Sequence, residues 1–506
     1  MNDDALIEPL DVHNQRLLAC VAPDRWHNPD PAPLYDLVVI GGGTAGLVCA
    51  AGAAGLGARV ALAERGLLGG DCLNTGCVPS KALLRAARAV HEARAVASSG
   101  VSMTPRVDFA AVMSGVRARR ADLAHHDSAA RLASIGVHVF FGEASFTGPR
   151  TVAVAGRVLR FRRAVVATGG RPSVPPVLGL AGVPYLTSES LFELTEQPRA
   201  LLVIGGGPIG CEMAHAFALL GSAVTIVEAG PRLLPREDAD ASAIIGRCLE
   251  RDGVRIHTDT TVANVTRSGD RVTLQMTPGL KLRRGDTAEA VGDVLLVATG
   301  RTPNVEGLNL EGALVAHDAN GVAVDDRLRS SNRRIYAAGD VCSPFRFTHA
   351  ADALARIVIQ NALFPGRRRA SALVIPWSTY TFPEVAHVGL APAEAIRAGG
   401  QAITVPLADV DRAVIDGESD GFLRIHHRGG RIIAATLVAP RAGELIGYIA
   451  SVMRRRGSLG DLSDEIFPYP TLADALRKAG DAYRRTRLTP RVRSLLRRYF
   501  ALTRRM

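Results

Sequence analysis

The 506-residue sequence holds only seven cysteines and two tryptophans, and just three of its 60 basic residues are lysine (Lys81, Lys281 and Lys478). Seven cysteines, an odd number scattered through a long chain, do not make the disulfide framework of a small secreted protein. No uninterrupted apolar run reaches bilayer-spanning length, and the opening MNDDALIEPLD is acidic, the wrong start for a secretory signal, so a cytoplasmic location is expected. The scarcity of lysine turns the formal charge of +11 into an arginine bias. Residues 484–506 alone carry nine arginines and no acid, without the interleaved aromatics of an RNA-binding domain, so nucleic acid is not expected as a partner.

What is present is length enough for two to four domains, a hydrophobic content of 47% that fits an alanine-rich α/β protein, and an internal repeat. YDLVVIGGGTAGLVCAAGAAGLGARVALAE reads as a buried strand, then Gly41, Gly43 and Gly46 in G-x-G-x-x-G spacing, then a small-residue helix and a strand ending at Glu64. RALLVIGGGPIGCEMAHAFALLGSAVTIVE repeats it with Gly205, Gly207, Gly210 and Glu228, every position offset by 164 residues. The first glycine allows a tight turn, the second lets backbone approach a pyrophosphate, and the third lets the helix pack on its strand. The helix N-terminus then faces phosphate, and the terminal acid accepts hydrogen bonds from a ribose. Two such units imply two dinucleotides, FAD and a nicotinamide. A carboxylate at Glu228 would repel a 2′-phosphate, and no arginine follows before Arg232, which favours NADH, with NADPH as the alternative.

The stretch GGDCLNTGCVPSKALLR sets Cys72 and Cys77 five positions apart, with Pro79 suited to the first turn of a following helix. Cys77 would then sit at a helix N-terminus, where a thiolate is stabilised. A zinc site lacks a second ligand pair at any usual spacing, and no metal ligands are assigned. Two reduced core cysteines would leave the glycines and Lys81 unexplained. A redox-active disulfide beside a flavin accounts for all of them.

GGDCLNTGCVPSK resembles the active-site signature of the class I pyridine nucleotide-disulfide oxidoreductases, which include dihydrolipoamide dehydrogenase, glutathione reductase and mercuric reductase. VVATGGRP, LLVATGRTPN, RIYAAGDV and TFPEVAHVGL are similar to further family segments, in the family's order, over residues 35 to 480. The resemblance implies a relay from NADH through FAD to the disulfide, with Cys77 the flavin-proximal, charge-transfer thiol and Cys72 the interchange thiol that meets the acceptor. It also implies a Lys81–Glu212 pair near the flavin, a role for Gly70 in the flavin site, Asp340 on the ribityl chain, and a helix starting near Thr348 and His349 that points at the flavin pyrimidine. For His349 itself a capping or packing role is equally open.

Where disulfide reductases carry His-Pro-Thr and a glutamate five residues after the histidine, this sequence has FPYPTLADALRKAGDAY, with Tyr469 and Asp474 at those places. An unperturbed tyrosine, with a pKa of about 10, is a poor base at neutral pH. Phe-Pro-Tyr is similar to mercuric reductase, whose soft ion needs thiolates and no proton taken from a substrate thiol. The sequence departs from that enzyme in having no N-terminal C-x-x-C domain and no cysteine after Cys342. The expectation is a mercuric-reductase-like NAD(P)H oxidoreductase acting on a small-molecule acceptor. Dihydrolipoamide dehydrogenase, another disulfide reductase, and a redox-sensing docking module are the alternatives.

The expected fold class is α/β: two Rossmann-like dinucleotide-binding domains and a C-terminal α+β dimerisation domain. The expected order is an arm over 1–34 packing on the surface, FAD domain 35–185, nicotinamide domain 186–310, FAD return segment 311–370, dimerisation domain 371–483 and a basic helix 484–506. A homodimer would donate Tyr469 across its interface. Val492, Leu495, Leu496, Tyr499, Phe500 and Leu502 give the tail a partly amphipathic pattern. That pattern fits a helix on an anionic membrane surface or one packed on its own dimer.

Overall fold

A computed structural model describes residues 7–96, 100, 101, 103–278 and 288–504. Both repeats fold as strand, helix, strand: Tyr35–Ile40, Thr44–Gly55 and Val60–Glu64, then Ala200–Ile204, Pro208–Leu220 and Ala223–Val227. The strands of each repeat are parallel, with Leu37 opposite Val60 and Leu201 opposite Val224, because the helix carries the chain back to the same end of the sheet. Pro208 opens the second helix, where its missing N–H costs nothing, and Gly221 in a left-handed conformation closes it.

The first sheet places Val137–Phe141, Val60–Glu64, Tyr35–Ile40, Arg157–Val166 and Ile335–Ala337 side by side in parallel. The second places Val254–His257, Ala223–Val227, Ala200–Ile204 and Val294–Val297 in the same way. The chain re-enters the first core before residue 310: Arg301–Pro303 pairs with Gly170–Pro172, and Leu308 and Leu310 share a core with Tyr35 and Phe161. Likewise Leu180 and Val183, ahead of the expected boundary at 186, already pack with Leu202 and Leu295.

By contacts the chain divides into two compact units, one of residues up to 229 with 252–373, the other of 230–251 with 374 onward. The second is built on a five-stranded antiparallel sheet in the order Pro376–Thr379, Glu384–Gly389, Arg431–Ala439, Phe422–Arg428, Gln401–Pro406. Ile446, Leu459 and Leu476, from three helices, close its core. The segment Gly230–Arg251 joins this unit although its sequence position falls inside the nicotinamide domain. Trp377 Nε1 donates to Glu237 Oε1 at 2.7 Å, and Arg424 bonds Asp238 at 2.8 Å and Asp240 at 2.7 Å. These are charge-assisted contacts between positions far apart in sequence, which no local pattern signals.

The arm is more than a surface strap. Asp11 caps a helix Val12–Val21 by accepting from His13 N and Asn14 N, and Leu17 and Val21 of that helix are fully buried. Further on, Asn28 exchanges two hydrogen bonds of 2.8 Å with the backbone of Phe141, covering the edge of the first sheet. Among the described residues no helix is long and apolar enough to cross a membrane.

Candidate active site

The two glycine loops have the same construction. Glu64 Oε2 accepts from Gly42 N at 2.5 Å, and Glu228 Oε2 accepts from Gly206 N at 2.6 Å. Each acid therefore stands at its strand end, bonded to its own loop backbone, the position from which a carboxylate accepts from a ribose in such folds. Burial pushes the Glu64 carboxyl up, opposed by the Gly66 and Gly42 amides. Gly70 lies on Gly43: a Cβ added at Gly70 would come within 2.7 Å of the Gly43 α-carbon. A concavity bordered by Gly41, Glu64, Arg65, Thr168 and Asn304 opens at the carboxyl end of the first sheet, the usual ligand position in such sheets. These residues fit the adenosine half of FAD.

Cys77 is the first residue of the helix Cys77–Ala95, and Pro79 lies in its first turn. The helix Thr348–Leu363 also starts at this point, with Thr348 Oγ1 3.2 Å from Cys77 Sγ. Neither helix has a side-chain cap, so the amide dipoles of two N-termini remain available to an anion at one sulfur. Cys72 and Cys77 are free thiols that share a hydrogen bond. That bond, with help from Thr348 and the Lys81 charge, holds the Cys77 thiol down to about 6 against its partial desolvation. The Cys72 thiol is driven up by the same bond and by burial. At neutral pH the pair is one thiolate, Cys77, and one thiol, Cys72.

Lys81, one turn beyond Cys77, reaches Glu212 at 2.8 Å, joining the helix that follows the first repeat to the helix of the second. Glu212 is buried, which fixes the ammonium at a defined place. Asp340 lies 3.3 Å from Arg301 Nε, and burial pushes its carboxyl up against that cation. Arg301 also contacts Asp71 and the carbonyl of Gly170. It belongs to the segment LLVATGRTPN, and only its place in that segment could have singled it out. His349 stacks on Phe347 with ring centroids 5.5 Å apart, a packing role.

Tyr469 and Asp474 belong to the other unit. The Tyr469 hydroxyl donates to Asp411 Oδ2 at 2.9 Å, and the bond raises the phenol above its ordinary value. Asp474 does not serve the tyrosine. Its carboxylate is held by Arg477 at 2.7 Å and Lys478 at 3.4 Å. Asp411, 58 residues before Tyr469, is the partner that spacing alone could not indicate.

The match to known proteins runs over the same elements. The pyridine nucleotide-disulphide oxidoreductase profile matches residues 35–355, and the dimerisation domain of that family matches residues 375–480. A mercuric reductase of Streptomyces lividans is 36% identical over 461 residues, covering 89% of this chain and 96% of that protein. A mercuric reductase of Acidithiobacillus ferrooxidans is also 36% identical, covering 89% and 82%. A dihydrolipoyl dehydrogenase of Thermus scotoductus is 33% identical, covering 88% and 97%. Among solved structures, the HOCl-induced flavoprotein disulfide reductase RclA from Escherichia coli superposes with a TM-score of 0.78 at 29% identity, covering 88% of this chain and 99% of that one. With two dinucleotide folds, a close thiol pair and an α+β dimerisation domain in one order, the chain belongs to the pyridine nucleotide-disulphide oxidoreductase family, an FAD-dependent family that uses a pyridine nucleotide.

Proposed function

We propose that this enzyme is an NADH-dependent reductase of a soft, thiol-seeking metal ion, Hg(II) in the first instance, working as a homodimer. The carrying observation is the pairing of a thiolate-stabilising site at Cys77 with a tyrosine, held by Asp411, where a disulfide reductase needs a base. Bound FAD supplies hydride acceptance from the nicotinamide and delivery of two electrons to sulfur. Glu64 and Glu228 orient the two riboses, and the Lys81–Glu212 pair fixes a cation near the reacting face. Cys77 holds the negative charge, while Cys72, the thiol, is the sulfur offered to the acceptor. The Cys77 thiolate and the Cys72 sulfur, which gives up its proton on binding, capture a soft cation directly, and the overall balance is NADH plus Hg(II) giving NAD⁺, H⁺ and Hg(0). Tyr469, donated across the dimer interface, supplies a hydroxyl that is neutral at physiological pH and suits an ion better than a thiol substrate.

The test is NADH and NADPH oxidation by the full-length protein with Hg(II), Cu(II), lipoamide and glutathione disulfide. Cu(II) is included because RclA is described in a Cu(II) complex. NADH should outperform NADPH, Hg(II) should turn over, and lipoamide should be poor. Tyr469→His should raise lipoamide turnover by about tenfold, short of the roughly hundredfold at which general-base catalysis typically begins, because Arg477 and Lys478 already hold Asp474. Lipoamide turnover by the unaltered protein equal to that with Hg(II) would overturn the reading.

A second proposal concerns the tail as an anionic-membrane contact. The helix Pro490–Thr503 has no buried residue, and it lies beyond the matched dimerisation domain, which ends at 480. At 100° per residue its apolar side chains share one side and Arg491, Arg493, Arg497 and Arg498 the other, as in helices that lie in a lipid interface. A second basic tail would repel it, whereas each arginine near anionic lipid contributes about 1 kcal/mol. Full-length protein should sediment with phosphatidylserine vesicles in a salt-sensitive manner, and a chain ending at Tyr483 should not. Equal behaviour of the two, with a less stable dimer for the shorter chain, would assign the helix to the dimer instead.

A further inference from the structure

The redox stretch is held from behind by a buried cation that, among the described residues, has no carboxylate within ion-pair distance. Arg120, on the helix Phe109–Leu123, is 1% exposed. Its Nη1 donates to the carbonyl of Asn74 at 2.7 Å and its Nη2 to Asn14 Oδ1 at 2.8 Å. Asn74 lies between Cys72 and Cys77, and its own side chain donates to the carbonyls of Leu68 at 3.0 Å and Gly70 at 2.9 Å, which keeps the loop coiled. Asn14 belongs to the N-terminal arm, is fully buried, and is fixed by donating to Pro9 O at 2.8 Å. The arm backs the same loop a second time where Leu68 N donates to Val21 O at 3.1 Å.

The other charged groups near Arg120 leave its charge in place. Asp11 pairs with Arg117 at 2.6 Å, and burial pushes the Glu193 carboxyl up. Burial, reinforced by Arg117, lowers the Arg120 guanidinium to about 10, so it stays protonated at neutral pH. Both its hydrogen bonds end on neutral amide oxygens. A guanidinium in so dry a place is costly unless hydrogen bonds and nearby negative charge offset the lost hydration. What changes charge in this loop is the cysteine pair on either side of Asn74 in the sequence: a neutral disulfide takes two electrons and one proton, delivered as hydride from NADH, and becomes a Cys77 thiolate and a Cys72 thiol.

We infer that Arg120 is a positioning residue through which the N-terminal arm sets the redox-active loop, its bridge fixing Asn74 and its charge favouring the thiolate form over the disulfide. The inference rests on the redox-active reading of Cys72 and Cys77. The arm is therefore part of the redox machinery in this chain: its docked state and the reduced state of the loop stabilise each other through one side chain.

The test uses the full-length holoprotein equilibrated with glutathione buffers at pH 7, quenched with a maleimide, and read by mass for the Cys72–Cys77 thiol to disulfide ratio. Thermal unfolding is followed in parallel. Arg120→Gln should shift the equilibrium towards disulfide by about tenfold, which for a two-electron couple is about 30 mV, and Arg120→Lys should recover part of the shift. Asn14→Asp keeps an acceptor for Nη2 and adds a carboxylate that cancels the charge. It should move the ratio the same way even if Arg120→Gln does not fold. An Asn14→Asp protein with the ratio of the unaltered protein, whatever its melting temperature, would overturn the inference. Absence of any glutathione-dependent disulfide in the unaltered protein would instead overturn the redox-active reading itself.

Discussion

Cys77→Ala should abolish both turnover and the long-wavelength absorbance that a thiolate gives against oxidised flavin, whereas Cys72→Ala should abolish turnover and keep the absorbance. Each loss of turnover should be on the order of 10³-fold or more, since both sulfurs belong to one unit that forms and breaks a bond. The asymmetry follows from position. Cys77 is the first residue of one helix and has Thr348, the first residue of another, at 3.2 Å, while the Cys72 thiol is pushed up by the bond it gives to Cys77 and by burial. In the two-electron reduced protein the absorbance should grow as pH rises through about 6 and persist above it, because a depressed thiol pKa means thiolate above that value. In Cys72→Ala the midpoint should move upward, because the largest stabilising contribution, the hydrogen bond from Cys72, is gone while Thr348 and Lys81 remain. Absorbance in Cys77→Ala and not in Cys72→Ala would reverse the two roles.

The parts of this site that the sequence made legible are those written in short stretches of chain. Gly41 and Glu64 lie within one strand–helix–strand unit that starts at Tyr35, and its copy holding Gly205 and Glu228 makes the reading independent of either alone. Cys72, Cys77 and Lys81 lie within one loop and one helical turn. Even the long-range Lys81–Glu212 pair was accessible, since each member has a place in a recognisable segment. What stayed hidden depends on tertiary contact between stretches that carry no signal separately. Asp411 sits in an unremarkable helix and becomes the partner of Tyr469 only when the C-terminal sheet assembles. Arg120 is one of several arginines in a basic helix, and its sequence neighbours say nothing of its complete burial. The segment 230–251 follows the second glycine unit in order, yet Glu237, Asp238 and Asp240 commit it to Trp377 and Arg424. An arginine-rich sequence hides its ion pairs well, because each carboxylate has many formal partners and only packing selects one.

Gly46→Ala should yield protein with FAD retention reduced on the order of tenfold, while Gly210→Ala should keep its FAD and lose reduction by NADH. The two glycines occupy equivalent places. A Cβ at Gly46 would overlap the carbonyl oxygen of Gly41 and stand 2.9 Å from its carbon, and a Cβ at Gly210 would overlap the carbonyl oxygen of Gly205, 3.1 Å from its carbon. In both cases the obstacle is backbone, so no flexible side chain can give way, and the helix must move off its strand at a cost of about 1–3 kcal/mol. That movement withdraws the helix N-terminus from the pyrophosphate it would face, and binding of that one dinucleotide carries the loss. FAD content is read from absorbance of the purified protein. For Gly210→Ala, the rate of flavin bleaching by NADH at fixed concentration should fall on the order of tenfold, while bleaching by dithionite stays normal, which separates loss of nicotinamide binding from damage to the flavin site. If Gly210→Ala instead loses FAD and Gly46→Ala keeps it, the assignment of the two repeats is reversed. If both lose FAD, one repeat does not serve one dinucleotide.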